Sequence, residues 1–294
     1  MKIAIESTAY FADDLSGDYR QGLATMRRHG FDAFDFQGFI GTREGLFLLS
    51  PSAWERELLG LRAAAENEGL AACQAHAPGG YPPRDATDAD RAYRFETKVR
   101  ALEGAALLGC PYLVVHPILP YGTKVNVNPE GVWEINVEFF SRLSEKAKEY
   151  GVTVCYENMP FKVFPFSPPK FAVQLAREVN HPNFRVCLDT GHAALFGDVP
   201  DDVRTIGGEY LRTLHVHDND GDGDRHWIPY TGVIDWSRFC DALGEIGFDG
   251  YFSLECTVRG NYPPELREYY QLGLSKIAHT LADAVDAARE RSHA

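Results

Sequence analysis

Six side chains able to hold a cation or move a proton each close an apolar run of this chain. They are His76 after AACQA, His116 after YLVV, Glu157 after VTVCY, Asp189 after RVCL, His215 after TL and Glu255 after YFSL. Apolar runs of this length end where strands end, and one alternating strand/helix barrel would gather all six ends at a single mouth. Glu157, Asp189, His215 and Glu255 come from consecutive runs. Together they form a mixed oxygen and nitrogen shell that suits Mn, Mg, Co or Zn better than copper.

Two neighbouring segments add donors. In VCLDTGHAALFGD, His192 follows Asp189 by three residues, so one loop offers both a carboxylate and an imidazole. In LHVHDNDGDGDRHWIPY, His215 and His217 share a strand face while Val216 points into packing. Gly221 and Gly223 let the following loop curl, which would bring Asp224, Arg225 and His226 back over the mouth. Composition alone would also allow a plain solvated loop or a calcium loop there. The spacing of an EF-hand is absent, however, and imidazoles are poor calcium ligands. Each of these residues alone is an ordinary strand-end polar group, and the signal is their common register. His29, His181, His279 and His293 fall on helices, a turn or the tail and carry no such signal.

Strand-like runs lie at 3–6, 33–36, 71–76, 112–116, 152–157, 185–189, 213–217 and 250–255. Between them, 56–68, 91–108, 133–150, 169–179 and 236–246 space apolar residues at three and four, as amphipathic helices do. Gly69, Gly109, Gly151 and Gly247 follow several of these helices as left-handed stops. With a last helix over 264–291, the pattern predicts an α/β fold of the (β/α)8 TIM-barrel type, one domain over 1–294. The second unit, with its Gly-rich 37–49, and the sixth, with a short helix at 201–206, are the weakest. Long irregular stretches at 77–88, 117–131, 158–168 and 218–232 all follow strands, where such barrels build their active face.

Acid outweighs base, 42 Asp and Glu against 29 Lys and Arg, giving a formal charge of -13. That field repels polyanions and argues against nucleic acid as a partner, in favour of a small neutral substrate. The six cysteines form no CxxC pair and most sit in apolar runs, which fits a reducing cytoplasm. Neither a signal peptide nor a membrane span is evident. Tyr10, Phe36, Phe39, Phe47, Tyr81, Trp227 and Tyr230 lie at or beyond strand ends and are the expected aromatic walls of the pocket at the mouth. Pro82–Arg84 and Ser167–Pro169 read as stiffened loop edges. Leu266, Leu272, Leu274, Ile277, Leu281 and Val285 equip the last helix to pack on the barrel or on a second copy in a homo-oligomer.

In YEN at 156–158, LDTGH at 188–192, HVHDND at 215–220, DRH at 224–226 and the stretch from GVIDW to SLE ending at Glu255, the chain resembles the xylose isomerase-like superfamily. That group holds sugar isomerases and epimerases together with endonuclease IV enzymes. By the ketose-epimerase resemblance, Glu157, Asp189, His215 and Glu255 would hold one divalent ion, and His192 and Arg225 would contact substrate. Glu157 and Glu255 would move a proton of a keto-sugar by way of an enediolate, giving isomerisation or epimerisation, or dehydration if a β-hydroxyl is lost. The endonuclease branch implies a three-zinc shell and cleavage of abasic DNA. Its ligand types match His76, His116, Glu157, Asp189, His192, His215, Asp224, His226 and Glu255. Against that branch stand the acidic charge and the first strand, KIAIESTAY, which lacks the DNA-inserting loop pattern. One departure from the ketose epimerases stands out: where they carry another acid after the strand-five glutamate, this chain has Met159, Pro160, Phe161, Lys162 and Val163.

Overall fold

The computed structural model describes residues 1–42, 45–79, 85–122, 128–256 and 262–292. Eight strands, β1 (Ile3–Glu6), β2 (Ala33–Phe36), β3 (Ala71–His76), β4 (Tyr112–Val115), β5 (Thr153–Glu157), β6 (Phe184–Asp189), β7 (Leu211–His215) and β8 (Phe252–Leu254), form one sheet. Its order is β7-β6-β5-β4-β3-β2-β1-β8, and every strand pair is parallel. The ring closes between its two ends through a parallel bridge of Val216 with Leu254. There Val216 N–H donates to Ser253 O at 2.9 Å, and Val216 O accepts from Glu255 N at 3.0 Å. The fold is the expected (β/α)8 barrel.

Nine helices among the described residues surround it: α1 (Tyr19–His29), α2 (Pro51–Asn67), α3 (Asp88–Leu108), α4 (Pro129–Tyr150), α5 (Pro169–Val179), α6 (Thr190–Ala194), α7 (Val199–Tyr210), α8 (Trp236–Glu245) and α9 (Pro264–Ser292). Helices α2, α3 and α4 start upstream of where apolar periodicity begins, because their caps fix them, whereas α5, α8 and α9 start where expected. Thr87 and Asp90 form a reciprocal capping box on α3, and Ser50 and Asn128 cap α2 and α4 just ahead of a proline. The stops are the expected ones: Gly109 and Gly151 end α3 and α4 in the left-handed conformation. The sixth unit is longer than the sequence suggested, α6 and α7 together replacing one short helix.

Alternation along the strands sorts the core. Ile3, Ile5, Phe34, Phe36, Val154, Tyr156, Val186 and Leu188 belong to the large cluster packed under the helices. Their neighbours inside the barrel are small: Ala4, Ala33 and Cys73 in one group, Val114, Cys155 and Cys187 in another. Small residues low in the barrel leave its upper layer to polar groups, namely Asp35, Gln74, Glu157, Asp189 and His215, all buried. All six cysteines are buried, and none forms a disulfide with another described residue. On α9, Leu274, Leu281 and Val285 are buried against the barrel, whereas Leu266 and Leu272 are exposed. No described helix is long and apolar enough to cross a membrane.

The connection from β7 to α8 is exposed over much of 220–233, yet the buried Asp218 carboxylate gathers its two ends. Oδ1 accepts from Asn219 N at 3.0 Å and Ile234 N at 3.3 Å, and Oδ2 accepts from Gly232 N and Trp236 Nε1, both at 3.0 Å. A Cβ at Gly232 would sit 2.1 Å from Asn219 O, so only glycine fits there. Asp218→Ala would leave four donors without their acceptor and is expected to cost about 3 kcal/mol. Urea denaturation checks this: the midpoint should fall with an unchanged slope, and an unchanged midpoint would refute the role given to Asp218.

Candidate metal centre at the barrel mouth

The strand register delivers the expected residues to one place. Glu157 ends β5 opposite Cys187, and Asp189 ends β6 directly opposite His215 of β7. Glu255 and His116 stand one residue beyond β8 and β4, where the backbone leaves the ladder to form the mouth. One donor atom from each of Glu157, Asp189, His215 and Glu255 lies within 4.8 Å of the others. His215 Nδ1 is 3.0 Å from Glu157 Oε1 and 3.4 Å from Glu255 Oε1. Around these four, His76, His116 and Glu157 make a second group, and His192, His217, Asp224 and His226 make a third.

Three rings share one arrangement. His76 Nδ1–H donates to Ala77 O at 2.8 Å, His192 Nδ1–H to Asn158 O at 2.8 Å, and His226 Nδ1–H to Glu255 O at 2.9 Å. A neutral ring anchored through Nδ1 has a bare Nε2. Those bare atoms face other lone pairs: His76 Nε2 is 3.4 Å from Glu157 Oε2, while His192 and His226 Nε2 are 3.4 and 3.2 Å from Asp224. His76 Nε2 also lies 3.1 Å from His116 Nε2. Lone pairs held this close require a proton or a cation between them, and carbonyl-anchored imidazoles are how proteins aim nitrogen at a metal. Glu157 Oε2 lies 3.0 Å from His116 Nε2, and Glu255 Oε2 is buried without a hydrogen-bond partner among the described residues.

Electrostatics follow from this crowding. Burial pulls His192 and His226 down, but the carboxylates win: His192 is pushed up to about 9, chiefly by Asp189 and Asp224, and His226 to about 10, chiefly by Asp224 and Glu255. His116 goes the other way, down to about 4, because burial outweighs the attraction of Glu157. Burial favours a neutral Glu157, yet His215 and His116 hold it well below the usual carboxylate range. Glu255 rises well above that range through burial, reinforced by Glu157 and Asp189 against His215 and His226.

Not every expected residue joins the cluster. Arg225 turns away, its Nε 2.9 Å from Asp220 Oδ2 on an exposed stretch. Among the described residues, none of the expected aromatic side chains lines the cavity. Phe36 alternates with the inward Asp35 and therefore faces outward, where it meets Phe39, and Phe39 and Phe47 pack on Trp54. Tyr10 bonds His29, Trp227 and Tyr230 are largely exposed, and Tyr81 and Pro82–Arg84 lie outside the described residues. The cavity over the cluster, about 420 Å³, is walled by Ile40, Leu119, Met159, Pro160 and Phe161.

The structure adds residues the sequence did not single out. Asp35, fully buried, places Oδ2 2.9 Å from His215 Nε2 and accepts from Gln74 Nε2 at 3.0 Å. Asn158 clamps the end of β6 through both backbone atoms of Asp189, and Thr190 Oγ1 donates to His217 O at 2.6 Å. His217 itself reaches Asp189 Oδ2 at 3.0 Å and stacks on His226, ring centroids 4.1 Å apart.

Residues 23–277 match the family model of the xylose isomerase-like TIM barrel. The chain belongs to this family. An uncharacterised protein of Methanocaldococcus jannaschii is 27% identical over 95% of this chain and 92% of its own length. The D-psicose 3-epimerase of Ruminiclostridium cellulolyticum is 24% identical over 85% of this chain and 82% of its own. Two solved structures share the fold. An L-ribulose 3-epimerase superposes with a TM-score of 0.78 at 19% identity, covering 100% of this chain and 97% of its own. The IOLI protein with a bound zinc atom gives 0.74 at 20% identity, covering 98% and 99%.

Asp35 is the carboxylate behind the imidazole in this barrel, and such partners set the basicity and aim of a metal-bound ring. Asp35→Asn is expected to weaken divalent-metal binding about 10- to 100-fold with the fold retained. Calorimetric titration of the stripped protein with zinc or manganese checks this, and unchanged affinity would remove Asp35 from the site.

Proposed function

We propose that this chain is a divalent-metal-dependent isomerase or epimerase of a small keto-sugar or polyol-derived substrate, acting as one unit over 1–294. The observation that carries the reading is the four-donor convergence of Glu157, Asp189, His215 and Glu255 at a cavity with apolar residues in its wall. The mouth fits a cation on chemical grounds: three buried carboxylates crowd His215, while His76, His192 and His226, anchored through Nδ1, turn Nε2 toward neighbouring lone pairs, an arrangement that burial makes costly unless something positive joins it. Those four residues would hold Mn, Mg, Co or Zn, and the names of the relatives, among them D-psicose 3-epimerase and inosose isomerase, support the sugar reading.

When bound, the cation would polarise the substrate carbonyl and offset the charge of an enediolate. The residues do the rest. Glu157 and Glu255, both of which line the cavity, would remove the proton beside the carbonyl and return it. Return to the opposite face gives epimerisation, and return to the neighbouring carbon gives isomerisation. Loss of a β-hydroxyl from the same enediolate would make the enzyme a dehydratase. Ile40, Leu119, Met159 and Phe161 would exclude water and meet the apolar face of the sugar.

One observation favours a second reading. His76 with His116 and Glu157, and His192 with Asp224 and His226, flank the central four as two further ligand groups, so a three-cation phosphodiesterase on abasic DNA is the alternative. The charge of -13 weighs against it. Chelation is expected to abolish activity on a ketose panel and added metal to restore it, with Glu157→Gln and Glu255→Gln each losing about 10²- to 10⁴-fold in kcat. Cleavage of an abasic duplex with no turnover of any sugar would overturn the sugar reading.

A further inference from the structure

Among the described residues lining the cavity, Arg94 is the one cation that is not an imidazole. It projects from the first half of α3, the helix that follows β3 and so begins at the barrel mouth. Its side chain is only 12% exposed, and its Nε is paired with the carboxylate of Asp85, which is fully buried. Asp85 is in turn fixed, accepting from Leu119 N at 2.9 Å, and Leu119 is itself part of the cavity wall. The guanidinium is thus held in place before any ligand arrives, unlike a surface arginine. Such a fixed fork loses little freedom when it binds a planar or tetrahedral oxyanion.

Local charge favours an anion. Lys98, one turn along α3, is fully buried, its Nζ donating to Pro78 O at 3.0 Å. Burial and the nearby Arg94 charge bring Lys98 down to about 7, against the pull of Asp85. Asp85 is the one carboxylate paired with Arg94, and the cavity's own carboxylates, Glu157, Asp224 and Glu255, sit among the imidazoles of the cluster. No hydrogen bond joins the Nη atoms of Arg94 to a described residue. The rest of the upper wall, Ile40, Pro117, Leu119, Met159, Pro160 and Phe161, offers side chains without a charge.

We propose that Arg94 determines specificity by binding an anionic group, a carboxylate or a phosphate monoester, at the end of the substrate remote from the carboxylate and imidazole cluster. This deepens the sugar reading and rests on it. The sequence-wide acidity favours neutral substrates at long range, but the cavity wall sets what is held at contact.

Calorimetric binding to the metal-loaded protein tests this without turnover, using D-fructose, its 6-phosphate and its 6-carboxylate as probes. At least one anionic probe is expected to bind about 30-fold tighter than fructose, about 2 kcal/mol. Which anion is preferred identifies the group. Arg94→Gln should reduce that advantage to under about 3-fold, while Arg94→Lys, which keeps the charge opposite Asp85 and guards against misfolding, should retain part of it. Equal binding of all three probes, or an anion preference that survives Arg94→Gln, would overturn the assignment of Arg94 and leave the sugar reading standing. No binding of any probe would overturn both.

Discussion

Repulsion among buried carboxylates is the constraint on which the rest of the molecule depends. Asp35, Glu157, Asp189 and Glu255 share the upper layer of one narrow barrel, with Asp224 folded over it. Ionised carboxyls out of water are costly unless each finds a positive or donating partner. Here the partners are six imidazoles, and three of them already donate Nδ1–H to backbone carbonyls. What remains at each of those rings is a nitrogen that accepts a proton or a metal. The site is therefore tuned to take up positive charge.

The barrel makes such a site tolerable by the way it distributes volume. Alanine, cysteine and valine fill the lower interior, and the large aromatic and branched side chains sit outside under the helices. Stability comes from that outer shell, so the inner upper layer is free to be polar. Asn158, Thr190 and Asp218 then tie the loops that follow β5, β6 and β7 to neighbouring backbone. Gly191 shows how little slack is left, since a Cβ there would sit 2.0 Å from His217 Cε1.

Much of this was legible in the sequence, for identifiable reasons. Strand interiors could be read because branched residues cluster there, and the mouth residues could be read because polar side chains end those runs. Strand ends shifted by a residue or two at His116, His217 and Glu255, where the neighbouring strand decides the limit of pairing. Helix α1 gave little signal because Gly22 interrupts it, and that glycine is there since a Cβ would lie 2.7 Å from Tyr10 O. Asp35 was illegible for a different reason. An acid alternating with phenylalanines in FDAFDF reads as solvent-facing until the barrel closes and brings His215 against it. The aromatic wall failed by the same alternation, because Phe36 must face outward if Asp35 faces in. Arg94 resembled any charge on the polar face of a helix, and only the burial of Asp85 beside it sets it apart.

The most direct test of the central claim is X-ray diffraction from crystals grown with zinc, recorded on either side of the zinc absorption edge. The account predicts an anomalous peak about 2.0–2.2 Å from one oxygen each of Glu157, Asp189 and Glu255 and from Nδ1 of His215. Anomalous density confined to surface histidines, with those four side chains bonded only to one another or to water, would contradict it.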